Sequence, residues 1–201
     1  PLPQAAPTGL PEGARLVFAG GRLVPAWSTL PAAPGVTLTS LADALAADGE
    51  ALRARLRSDG ANAPARAFAC LNDALFEDGL WLTLAPGTRL DGPLHVVHLG
   101  GAGNTSSHLR LLIDLGEQAE TQLVEHYLGL GAEAYHVNVL AQATLAPGAR
   151  LRHVKLLAEG AAGIHVGDFR VRVGRDARFE SHLVAAGGGL LRQDQIGRAH
   201  V

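Results

Sequence analysis

A short turn sequence returns at nearly constant intervals through the second half of this chain. APGTRL at 85–90 recurs as APGARL at 146–151, and LGEQAETQL (115–123) and VGRDARFES (173–181) keep the glycine, a small residue and a following apolar position. Aligning Thr88, Ala119, Ala149 and Ala177 gives spacings of 31, 30 and 28 residues. Between these markers lie runs that read as strands: LHVVHL (94–99), LRLLIDL (109–115), YHVNVLAQATL (135–145), LRHVKLL (151–157) and FRVRV (169–173). Short strands without intervening helices suit either an antiparallel sandwich or barrel, or a solenoid of stacked parallel sheets. The recurring corner separates the two. In a solenoid adjacent strands sit only about 4.8 Å apart, so each coil must set a small residue over the one below. Glycine at the corner supplies backbone angles other residues avoid. The expected fold is therefore mainly β, a right-handed parallel β-helix of roughly four coils, about 20 Å tall.

The first half reads differently. In RLVFAGGRLVPAWS (15–28) two short apolar runs flank Gly20 and Gly21, which predicts a hairpin whose second strand is held to an edge by Pro25. From Ser40 to about Arg57 the period is helical, with Leu41, Leu45, Leu52 and Leu56 near one face, Ser40 as N-cap and Gly49 weakening the middle. A second helix is expected from about Ala63 to Phe76, turning Phe68, Leu71, Leu75 and Cys70 toward neighbours before Asp78 and Gly79 end it. The organisation expected is a linker or truncated start at 1–14, a small α/β region at 15–79, a partial β-helix at 80–195 and a six-residue tail at 196–201. That tail, IGRAHV, spells what a common sequencing adaptor encodes in this frame, so His200 is left out of functional reasoning.

Composition narrows the function. Apolar residues make up 47% of the 201, charged residues 18%, and the net charge is −2 with Lys and Arg scattered, which argues against nucleic acid as a partner. No run approaches the roughly 18 apolar residues of a membrane helix, and no signal-peptide order opens the chain, so the expectation is no membrane association and a cytoplasmic address. A single cysteine, Cys70, excludes an internal disulfide or a multi-cysteine cluster site within this chain.

Several residue groups could carry chemistry. His95 and His98, three apart in a strand, point to opposite faces and are poorly placed to share a metal. His126 and His136 neighbour tyrosines, and His153 and His182 occupy similar coil positions. A cupin-like metal site would need a second ligand where the chain has Lys155. The histidines are expected to be hydrogen-bonded structural or surface residues. Asp114, Glu120, Glu125, Asp168 and Glu180 could supply a hydrolytic carboxylate pair, but no acid cluster recurs on one coil face and aromatics are only 4%, too few for a sugar-stacking cleft. Glu125, His126 and Lys155 read as a solvated strand face, and Cys70 as a small buried hydrophobe. Gly187–Gly189 lacks the Lys and Ser/Thr of a phosphate loop and reads, like GGAGN (100–104), as a flexible corner.

The order of these motifs resembles the SufB/SufD family. LNDALFEDGLWLTLAPGTRLDGPLHVVHL (71–99) is similar to the entry into that family's core, and LIDLGEQAETQLVEHYLG (112–129), LRHVKLLAEG (151–160) and FESHLVAAGGGLLRQD (179–194) look like its successive coils. The hairpin and the absence of a cysteine-bearing strand are more like the SufD branch. The resemblance, over about residues 15–195, implies a non-catalytic scaffold role in iron–sulfur cluster assembly, alongside SufB-like and SufC-like partners. In that setting the complex handles nascent clusters and the SufC-like ATPase uses ATP, while this stretch binds no cofactor of its own. It implies no catalytic, cofactor-binding or metal residue here, because the family's functional contacts lie downstream of this stretch. A stack cut part-way would leave backbone groups unpaired, so aggregation or partial order beyond about Gly187 is expected. The competing readings are a carbohydrate-active or acyl-transferring β-helix enzyme and a cupin-like small-molecule barrel.

Overall fold

The computed structural model describes residues 6–31, 33–57, 67–101 and 103–199. Strand β1 (Arg15–Ala19) turns through Gly20 and Gly21, both at positive φ, into the antiparallel two-residue β2 (Arg22–Leu23), and a short 3-10 turn, Pro25–Trp27, follows. Strand β3 (Val36–Ser40) runs into helix α1 (Leu41–Arg57), and helix α2 (Ala67–Leu75) precedes the coils. These are built from β4 (Asp78–Leu84), β5 (Arg89–Gly100), β6 (Thr105–Leu115), β7 (Glu120–Gly129), β8 (Tyr135–Leu145), β9 (Arg150–Ala158), β10 (Gly163–Val173), β11 (Arg178–Ala185) and β12 (Leu190–Ala199).

The strands sort alternately into two six-stranded sheets. Sheet A runs β11-β9-β7-β5-β1-β2 and sheet B runs β12-β10-β8-β6-β4-β3. Pairing is parallel throughout the coils, and β2 and β3 at one end pair antiparallel. This is a parallel β-solenoid of the expected kind. Each coil crosses sheet B, turns at the repeated corner and returns along sheet A.

The corner is the tight turn that the repeat implied. The N–H of Thr88, Ala119, Ala149 and Ala177 each donates to the carbonyl three residues back, at 3.1 Å. The third turn residue is left-handed in each: Gly87, Gln118, Gly148 and Asp176. Successive corners are also tied to one another, because the N–H groups of Glu120, Arg150 and Arg178 donate to Thr88, Ala119 and Ala149 of the coil before. Ala119 and Ala149 are fully buried. A Cβ on Gly116 or Gly174 would come within 3 Å of a carbonyl of the preceding coil, so close approach dictates the small residue.

The glycines of the opposite corner do similar work, and the expectation that they are flexible is corrected. A Cβ on Gly129 would lie 2.3 Å from the Gly160 nitrogen, and one on Gly187 would lie 2.4 Å from the Glu159 carbonyl oxygen. These corners are packed backbone against backbone, and only residues without a side chain fit.

Leucine, valine, isoleucine and alanine from both sheets fill the coil interior. Helix α1 covers the outer face of sheet B with Leu41, Ala44 and Leu52 against Leu112 and Trp81. The Ser40 hydroxyl accepts from the Asp43 N–H at 3.0 Å, the expected N-cap. Beside Gly49 the helix breaks at Asp48 (φ −150°, ψ 80°), whose carboxylate accepts from the Ala51 N–H and so caps the second half. That kink turns Leu45 to solvent, contrary to its expected place on the packed face.

Helix α2 is also turned the other way from the expectation, whose first residues fall outside the described ones. Its buried residues are Ala69 and Asn72, while Phe68, Leu71 and Leu75 lie on the exposed side and Cys70 is exposed. Polar anchoring decides the orientation. The Asn72 amide donates to the carbonyls of Leu109 (2.9 Å) and Asn138 (3.1 Å) and accepts from Arg110 Nε at 3.0 Å. Buried amide and guanidinium groups must find these partners, and three leucine-sized contacts do not outweigh that requirement.

Candidate functional site

Alternation fixes what enters the coil interior. On β7, residues 123, 125 and 127 share a face, and on β9 residues 151, 153, 155 and 157 do. Leu123, Leu151 and Leu157 point inward with the core, so Glu125, Tyr127, His153 and Lys155 must as well. Glu125 is fully buried and Lys155 is 4% exposed, which overturns their reading as a solvated face. Register stacks the group: Glu125 lies beside Lys155, Leu123 beside His153, and Tyr127 beside His98 of β5.

The group forms a hydrogen-bonded line across three coils. Tyr127 O–H donates to Glu125 Oε2, His153 Nε2 lies 2.7 Å from Glu125 Oε1, and His153 Nδ1 lies 3.0 Å from the Ser181 hydroxyl of β11. Lys155 reaches across to sheet B, where its ammonium donates to Gln193 Oε1 at 2.7 Å and sits 4.7 Å from the Tyr127 ring centroid. A Cβ at Gly167 would fall 2.7 Å from that ammonium, so the glycine makes the room. A second cluster adjoins at the opposite corner. His165 Nδ1 lies 2.9 Å from Glu159 Oε1, Tyr135 O–H donates to Glu159 Oε2 at 2.6 Å, and the Gly160 N–H donates to the Tyr135 oxygen. The Tyr127 ring joins the two clusters, stacked on His98 at 4.4 Å and edge-on to His165 at 4.5 Å.

The electrostatics follow from burial. Burial alone would raise the Glu125 carboxyl, but hydrogen bonds from His153 and Tyr127 and the Lys155 ammonium outweigh it and hold the group well below the usual carboxylate range. Burial lowers Lys155 against the pull of Glu125 and Glu159. Burial, with Lys155 nearby, pushes His98 down to about 3 and His165 to about 4. Tyr127 is raised by burial and by Glu125. At neutral pH the interior thus holds the Glu125 carboxylate and two neutral imidazoles. Among the described residues, both nitrogens of His98 and Nε2 of His165 have no hydrogen-bond partner. That departs from the expectation that the histidines are hydrogen-bonded structural or surface residues.

The line from Tyr127 through Glu125 and His153 ends on half-exposed Ser181, so hydrogen bonds tie the buried carboxylate to the surface of β11. No group of three or more His, Cys, Asp or Glu among the described residues is arranged to hold a metal ion.

The remaining candidates are dispersed. On the outer faces, His95 Nδ1 lies 3.0 Å from His126 Nε2, while the Ser106 hydroxyl lies 2.9 Å from both His108 and His136. His95 and His98 fall on opposite faces, as their spacing requires. Asp114 is held by Arg55 and Trp81, Glu120 by Arg89, Asp168 by Arg170 and Glu180 by Arg152. Each acid other than Glu125 is thereby committed to a separate ion pair. His200 lies outside the described residues.

Two comparisons place this architecture. The family model for the SUF system FeS cluster assembly SufBD core domain matches residues 98–198, from the end of β5 into β12. The chain is 27% identical over 191 residues to iron–sulfur cluster assembly protein SufD of Escherichia coli (strain K12), covering 91% of this chain and 41% of that relative's length. With the matched core spanning the coil stack, this chain belongs to the SufB/SufD family.

Proposed function

We propose that the chain is part of a non-catalytic scaffold subunit, SufD-like, on which iron–sulfur clusters are assembled with a SufB-like partner and a SufC-like ATPase in the cytoplasm. The observation that carries this reading is the coincidence of the matched core, 98–198, with the stacked coils. Continuous parallel ladders make those coils a stiff support, which suits a part that must hold a partner's ligands in fixed geometry. The cluster is cargo in this reading, and the one cysteine, exposed on α2, is not assigned to it.

Co-expression of the full-length protein with the SufB-like and SufC-like proteins of the same genome tests the proposal. One complex containing all three, able to deliver clusters to an apo-acceptor, is the expected result. Partners that associate and build clusters at the same rate when this protein is deleted would overturn it.

A further inference from the structure

Among the described residues, the register of the coil ladders shifts at one place. Pairing of β5 with β7 runs from Arg89–Glu120 directly to Pro93–Gln122, so Leu90, Asp91 and Gly92 stand opposite Thr121 alone. Bulges of this kind re-aim side chains and open sheet faces next to functional sites. Here the bulge forms one wall of a cavity of about 430 Å³ at the start of the sheet A strands, within the range of small-molecule sites. Arg89, Arg150, Arg152 and Arg178 line it, together with Glu120, Glu180 and Asp91.

The charges do not cancel in pairs. Along the first column the order is Arg89, Glu120, Arg150, Arg178, in register from coil to coil. Arg89 is paired to Glu120 at 3.0 Å, and Arg152 in the next column to Glu180 at 3.3 Å. Arg150 and Arg178 stand directly opposite one another, and among the described residues neither has a carboxylate partner. Like charges facing across a ladder are unfavourable unless something of opposite sign sits between them. Two guanidiniums one strand spacing apart match the oxygens of an oxyanion, which they can hold by charge-assisted, fork-like hydrogen bonds. Asp91 sits on the bulge wall and disfavours an anion there, which confines the ligand to the Arg150–Arg178 side.

We infer that this groove binds a small oxyanion-bearing solute, phosphate or carboxylate, between Arg150 and Arg178. The site lies on the outer face of sheet A and is separate from the interior column, so it stands or falls independently of the scaffold reading.

Isothermal titration of the full chain, in a buffer free of anionic components, with inorganic pyrophosphate in one arm and citrate in the other tests it. Saturable one-to-one binding in either arm is expected, and the arm that binds identifies the chemistry. The Arg150→Gln/Arg178→Gln variant should weaken it by about tenfold or more. Arg22→Gln, a surface change in the β1–β2 hairpin outside the groove, should leave it unchanged. Both variants alter exposed side chains, and thermal melts confirm that the fold is retained. Absence of binding at millimolar concentration in both arms, or equal binding by the double variant, overturns the inference.

Discussion

The two walls of the coil interior are built on one repeat and one alternation, yet they differ in chemistry. Through three coils sheet B contributes mainly Leu80, Leu82, Leu84, then Leu109, Leu111, Ile113, Leu115, then Val137, Val139, Ala141, Ala143, Leu145, with Tyr135 at the edge of the third. The facing wall from sheet A begins apolar with Leu16, Phe18, Leu94 and Val96 and then changes to His98, Glu125, Tyr127, His153 and Lys155. Side-chain size changes with it, since sheet B narrows to Ala141, Ala143 and Gly167 as sheet A presents its long polar groups. One wall thus supplies burial energy that scales with apolar area. The other holds charge in a place where every partner matters.

The sharpest way to break that contrast is Glu125→Ala. It removes the acceptor shared by Tyr127 and His153 and leaves the Lys155 ammonium without its nearest counter-charge. Losing one partner of a buried ionic group costs about 3–5 kcal/mol. Urea denaturation at pH 7 should show a loss of that size, and a loss under 1 kcal/mol would mean that the sheet A wall is hydrated. On the opposite wall Leu111→Ala removes only packing and should cost about 3 kcal/mol. Its cost should be the same at pH 5 and pH 8, because no titrating group is touched.

Acid probes the polar groups apart from the apolar packing. His98 and His165 titrate near 3 and 4 when folded, below the unfolded value of about 6.5. Between those values the unfolded chain binds more protons, so stability rises with pH and is lost as pH falls from about 6.5. Each imidazole should account for about 2 kcal/mol between pH 8 and pH 5. Glu125, depressed when folded, adds a further loss only below its unfolded value of about 4.5. His98→Phe keeps a ring stacked between Phe18 and Tyr127 and should remove about 2 kcal/mol of the loss at pH 5. An unchanged pH profile in that variant would show that His98 is protonated in the folded protein.

The sequence made the coils readable because a corner repeat leaves a positional signature that survives residue change: Thr88, Ala119, Ala149 and Ala177 do stack. The interior column was readable in principle by the same alternation. Glu125 shares the parity of Leu123 and Tyr127, and Lys155 that of Leu151 and Leu157, with thirty residues between them. Charge type argued for solvent and parity argued for the core, and parity won because each group could find a partner on an adjacent coil. Partners supplied from distant segments are what a local pattern does not carry. Asn72 turned α2 around through carbonyls 37 and 66 residues away, and Lys155 is met by Gln193 and by the space at Gly167.

That space offers the smallest test. Gly167→Ala would normally favour a strand by about 0.5–1 kcal/mol, since glycine loses the most freedom on folding. Here the new methyl would stand 2.1 Å from Gln193 Oε1 and 2.7 Å from Lys155 Nζ, both at the ends of side chains that are locked to each other. Displacing the pair should reverse the sign and leave the variant about 1 kcal/mol less stable. In a Lys155→Met background Gln193 is released and can swing aside, so the same alanine should become neutral or stabilising. A coupling of about 1 kcal/mol in this double-mutant cycle would place the charge on one wall and the small residue on the other in a single unit. Simple additivity would instead make the narrowing of sheet B a packing feature unrelated to the lysine it faces.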